Sequence, residues 1–135
     1  VNDGAGAADY DLSGQWTGIF NFPSLLPPGP FEAVIRDIAG AISGVTTEPG
    51  CMFDPQGTIL DAVLEGSRDG SLVTFRKIYS DVLRPDVVHY QGHIQPGGDE
   101  IQGEWSIPGD WSGTFPMVRG SKAAAAAERQ VGETV

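Results

Sequence analysis

The polar residues able to do chemistry in this chain are few and widely spaced. His89 and His93 are its two histidines. Four positions apart on an extended strand, they would stand about 13 Å from each other, too far to share one metal ion. They read as solvated surface groups. Cys51 is the sole cysteine, so no internal disulfide can form, and its loop offers no evident base to make the thiol a nucleophile. Asp37, Asp61, Glu65 and Glu104 fall at turns or outward positions and form no facing pair of the kind that cleaves glycosidic bonds. No G-x-S-x-G elbow, phosphate loop or metal-ligand spacing occurs. No catalytic residue, metal or cofactor is therefore assigned, and an isomerase, cyclase or hydrolase stays an alternative without a motif behind it. The grouping with most promise is Lys77, Tyr79 and Tyr90, a cation and two phenols whose alternation with apolar neighbours places them on an inward face. Lys77 could pair with a ligand carboxylate or phosphate while the tyrosines donate hydrogen bonds. The competing reading is a lysine that reaches solvent from a strand end.

The elements that must position these groups follow from composition and periodicity. With 135 residues the chain has the size of one domain, and 40% hydrophobic residues are enough to fill a core. The formal charge of −10 repels phosphate backbones, which argues against nucleic acid as a partner. No apolar run approaches the roughly 20 residues of a membrane helix. A soluble, cytoplasmic protein is expected, although a start at Val1 also fits removal of Met or of a longer leader. The 19 glycines and 10 prolines punctuate the chain at short intervals, which points to strands and turns.

Alternation of apolar and polar residues predicts eight strands: 12–22, 31–37, 41–47, 58–66, 71–79, 87–94, 101–107 and 111–118. Turn residues at 37–40, 67–70, 95–99 and 108–110 join several of them as hairpins. Residues 1–11 read as a loose lead-in, 12–120 as the folded domain, and 121–135 as a short C-terminal helix or tail led by the run Ala123 to Ala127. Glycines recur inside the strands, at Gly14, Gly44, Gly66, Gly92, Gly103 and Gly113. Repeated use of a residue that weakens strands implies a geometric need, which tight coiling supplies. The predicted fold is all-β: an eight-stranded antiparallel up-and-down β-barrel, with a sandwich as the alternative.

Gly14-Gln15-Trp16 opening the first strand and Arg119 just after the last resemble the G-x-W and closing Arg of the lipocalins, members of the calycin superfamily. Avidins and fatty-acid-binding proteins share that architecture. The lipocalin T-D-Y segment has only Tyr90 as a counterpart, and there is no lipocalin disulfide. In an up-and-down meander the first strand rises from Trp16 and the eighth descends toward Arg119, so Arg119 could lie over the Trp16 ring and plug that end. The loops 23–30, 48–57, 80–86 and 108–110 then gather at the opposite, open end, where Leu25, Leu26 and Phe53 would cover something apolar.

The expected function is binding of a small, mainly apolar molecule at that end, by Leu25, Leu26, Phe53, Lys77, Tyr79, Tyr90, Trp105 and Trp111. Covering about 250 Å² of apolar ligand surface is worth roughly 6 kcal/mol before association costs, and a solvated ion pair only about 0 to 1. A structural or protein-interaction barrel, filled by its three Trp and six Phe, is the alternative. Oligomeric state is left open.

Overall fold

A computed structural model of the chain describes residues 10–23, 28–50, 57–80 and 87–120. Eight strands follow one another: β1 (Gly14–Phe20), β2 (Gly29–Ile38), β3 (Ala41–Pro49), β4 (Ile59–Asp69), β5 (Leu72–Tyr79), β6 (Val87–Ile94), β7 (Glu100–Ser106) and β8 (Ser112–Arg119). Each pairs antiparallel with the next, and β8 returns to β1 to close the barrel. There is no helix among the described residues, and the up-and-down barrel stands in place of the sandwich. Residues 121–135 and residues 1–9 of the lead-in lie outside the described residues.

Alternation builds the wall. Phe31, Ala33, Ile35 and Asp37 of β2 are buried while Val34 and Arg36 among them are exposed, and the same two-residue period runs through β3 to β6. The glycines do what coiling demands. A Cβ on Gly66 would lie 2.0 Å from the Thr74 carbonyl oxygen, and one on Gly103 2.0 Å from that of Gln91. No side chain fits where neighbouring backbones come so close. The closing seam is short: Trp16, Thr17 and Gly18 pair with Arg119, Val118 and Met117. It resumes in the same register with the bridge from Asn21 to Thr114, past a gap at Pro116, which has no N–H to give to a ladder.

One end is closed by side chains. Trp16 is fully buried and its Nε1 donates to the Leu12 carbonyl at 2.8 Å. The Arg119 guanidinium sits 4.6 Å from the centre of the Trp16 ring, as expected for a meander that brings both residues to one end. It also donates to the carbonyls of Asp11, Ser13 and Gly98, each at 2.9 Å, and to Asp99. The end of the predicted lead-in is thus held: Tyr10 is half-buried against the core and Leu12 is part of the plug.

Asp37 differs from the sequence reading, which put it in a turn. It is the last inward residue of the Phe31, Ala33, Ile35 series, and its side chain is buried. Arg68 Nε donates to its Oδ2 at 2.7 Å, and the backbone N–H groups of Leu12 and Gly40 donate to the same carboxylate. Burial alone would push this carboxyl up, but the hydrogen bonds from Arg68, Leu12 and Gly40 and the Arg68 charge outweigh it and hold the group below the usual carboxylate range.

Candidate functional site

The middle of the barrel is packed with rings. Phe20 stacks on Phe31 at 4.6 Å between centroids, Phe75 on Tyr90 at 4.8 Å, and Phe115 meets Tyr90 edge-on at 5.0 Å. Toward the end opposite Trp16, where β1, β3, β5 and β7 finish, the lining changes character. On one side Phe22, Trp105 and Trp111 form an aromatic group, with Phe22 stacked on Trp111 at 5.2 Å and edge-on to Trp105 at 5.6 Å. On the other side stand Glu48, Lys77 and Tyr79.

Lys77 is only 1% exposed, so open solvent does not balance its charge. Its Nζ lies 2.7 Å from Glu48 Oε1, and Tyr79 Oη donates to Glu48 Oε2 at 3.1 Å. The ammonium also stands 3.8 Å from the centre of the Phe20 ring. The lysine that reads as reaching for solvent or for a ligand therefore holds an internal carboxylate. Glu48 was missed because Glu48-Pro49 looks like the start of a loop, whereas β3 runs on to Pro49 and keeps its inward series Ile42, Thr46, Glu48. One more period of alternation was the signal. The small residues Ala33, Thr46 and Ala62 stand side by side on β2, β3 and β4, next to Tyr79 on β5.

Among the described residues, the buried side-chain oxygens that have no hydrogen-bond partner are Tyr90 Oη and Thr46 Oγ1. Burial pushes the Tyr90 phenol well above its ordinary value, with Tyr79 and the Glu48 charge adding to the effect. It stays protonated, a donor with no acceptor. An unsatisfied buried hydroxyl costs about 1 to 3 kcal/mol. The closed end shows no such orphan among the described residues, since Asp37, Arg68, Trp16 and Arg119 are all paired.

No family model matches the chain, and no curated protein matches its sequence. The eight-stranded closed antiparallel barrel is consistent with the calycin architecture, and the site has to be read from its own geometry.

Of the residues singled out in the sequence, the fold brings Lys77, Tyr79 and Tyr90 together: the Lys77 ammonium is 4.9 Å from the Tyr79 ring centre and 5.5 Å from that of Tyr90. Trp105 is the register partner of Tyr90 and touches Trp111 edge-on, so the two groups adjoin. Leu25, Leu26, Cys51 and Phe53 lie outside the described residues. His89 and His93 are exposed on the outer wall. There His89 borders an open hollow of about 540 Å³ with Glu65, Thr74, Arg76, Gln91 and Glu104, and Arg76 pairs with Glu65. No group of three or more potential metal ligands occurs among the described residues.

Proposed function

We propose that the barrel binds a small, mainly apolar, uncharged molecule at its open end, with a hydrogen-bond acceptor directed at Tyr90. One observation carries the reading: a buried, protonated phenol without a partner stands in an aromatic lining. A core built only for stability gains nothing from such a hydroxyl, and phenylalanine would serve it better. Phe22, Trp105 and Trp111 supply apolar cover, and Thr46 Oγ1 is a second hydroxyl that a ligand could satisfy. The preference for a neutral ligand follows from charge. Glu48 already balances Lys77, and the protein as a whole carries −10, so an anion gains no uncompensated cation and meets an unfavourable field.

The test is a set of isosteric probes titrated against the full chain: 2-acetylnaphthalene, 2-isopropenylnaphthalene and 2-naphthoate. The ketone should bind saturably and about tenfold more tightly than the hydrocarbon, the worth of one neutral hydrogen bond, with the carboxylate weakest. Tyr90→Phe should erase the preference for the ketone while leaving the fold as stable as before, or up to about 1 kcal/mol more stable. Saturable binding of none of the three, or a ketone preference that survives Tyr90→Phe, would overturn the proposal.

A further inference from the structure

The outer wall of β2, β3 and β4 has an order that ligand binding does not use. Its outward residues form rows across the three strands. The central row is Val34, Val45 and Val63, register partners that are 56%, 53% and 42% exposed. On one side lies the row Arg36, Ser43, Glu65, and beyond it Ile38, Ala41, Ser67. On the other side lies Glu32, Thr47, Asp61, and beyond that Pro49 beside Ile59. Ile38 and Ile59 are themselves 56% and 61% exposed. The wall thus alternates apolar, charged, apolar, charged, apolar, and its exposed valines and isoleucines amount together to on the order of 400 Å², comparable to the largest, often functional, apolar patch of a typical monomer.

We infer that this face is the interface of a two-fold homodimer, with the symmetry axis lying along the Val34, Val45, Val63 row. Two faces in contact about an in-plane axis exchange the rows on either side of it. Arg36 of each copy then faces the partner's Glu32, and Ile38 the partner's Pro30. Neither Arg36 nor Glu32 has an ion-pair partner among the described residues. The same operation sets Glu65 near the partner's Asp61, a like-charge contact that Arg76, already paired with Glu65, tempers. An axis running along β3 would instead stack Glu32 on the partner's Asp61, two carboxylates with no such cation, and would offer Arg36 only to a Glu65 already neutralised. The apolar rows alone fall short of the roughly 800 Å² per partner of a standard interface, so the charged rows have to take part and their signs decide the orientation.

Sedimentation equilibrium of the full chain should show a reversible monomer–dimer equilibrium that weakens as salt rises. Val45→Glu, on the outside of the wall, should weaken it at least tenfold with the melting curve unchanged. Arg36→Glu and Glu32→Arg should each weaken dimerisation, and the double exchange Arg36→Glu with Glu32→Arg should restore it to within about threefold, because the intersubunit pairs re-form with signs reversed. A wild-type chain monomeric at every soluble concentration overturns the inference, as does a dimer indifferent to Val45→Glu. A double exchange no better than either single change overturns the orientation and, with it, the proposal.

Discussion

Replacing Glu48 by Gln removes one charge and almost no volume, leaving the Lys77 ammonium buried without its carboxylate. Breaking a buried ion pair in this way costs about 3 to 5 kcal/mol. An upper bound comes from the lysine itself, which can give up its proton rather than stay charged. Deprotonating an ordinary lysine costs about 1.36 kcal/mol for each unit between a pKa of about 10.4 and the solution pH, hence about 4.6 kcal/mol at pH 7 and about 1.9 at pH 9. The Phe20 ring 3.8 Å from the ammonium is present before and after the change and does not alter the difference. The expected loss is therefore about 3 to 4.6 kcal/mol at pH 7, or roughly 12 to 18 °C in Tm for a chain of this size. The unfolded variant holds the proton more readily than the folded one, so the loss relative to wild type should shrink toward about 2 kcal/mol by pH 9. Urea unfolding followed by tryptophan fluorescence at pH 7 and 9 measures both numbers. The paired replacement Glu48→Leu with Lys77→Met, which removes both charges, should be neutral or stabilising by about 1 to 4 kcal/mol. A Glu48→Gln cost below about 1 kcal/mol at pH 7, or one that does not change with pH, refutes the reasoning.

Further predictions concern the frame that holds the site. Asp37 has a carboxyl held below its ordinary value in the folded state, so its contribution is complete above the unfolded value of 3.8 and lost as pH falls through the folded one. Wild-type denaturant midpoints should therefore fall between pH 5 and pH 2, and Asp37→Asn should be less stable at pH 6 with a flatter profile below pH 4; parallel profiles would show that the Arg68 pair plays no part. Gly103→Ala would drive a methyl into the Gln91 carbonyl, for a cost of about 2 kcal/mol or more. Gly29→Ala, whose methyl would meet the Phe20 ring edge at 3.4 Å and the Phe22 ring at 3.6 Å, ordinary contacts with side chains and none with backbone, should cost less than about 0.5 kcal/mol in the same denaturation assay. Equal costs would remove the argument that coiling requires the inner glycines.

Much of the barrel could be read from residue order because strand alternation is local. Val87 to Ile94 reads as a strand with the bounds it has, and Arg119 over Trp16 follows from both residues landing at one end of a meander. The charged interior was the part that could not be read. Lys77 and Glu48 are 29 positions apart and Asp37 and Arg68 31, on strands whose relative stagger is fixed only when the sheet closes. Each inward carboxylate also sits at a strand end beside residues typical of turns, Glu48 before Pro49 and Asp37 near Gly40, where local signals favour a loop. Tertiary pairing overrode them: a buried carboxylate next to a buried cation is stable where either alone is not. That Tyr90 is left without an acceptor is a result of the three-dimensional arrangement alone.

Seven of the joins between neighbouring strands link strands consecutive in the sequence; the eighth links the first, β1, to the last, β8, and its ladder is interrupted opposite Pro116. The two sides of that seam belong to opposite ends of the sequence and are held by few bonds, so it is the line along which the cylinder parts at least cost. A rupture there leaves the other seven strand pairings intact and turns the tube into an open, curled sheet that still carries Glu48 on β3 and Lys77 and Tyr79 on β5, either side of β4, while taking Phe22 away from Trp105 and Trp111. The polar half of the mouth would survive such an opening; the aromatic half, which straddles the seam, would come apart with it.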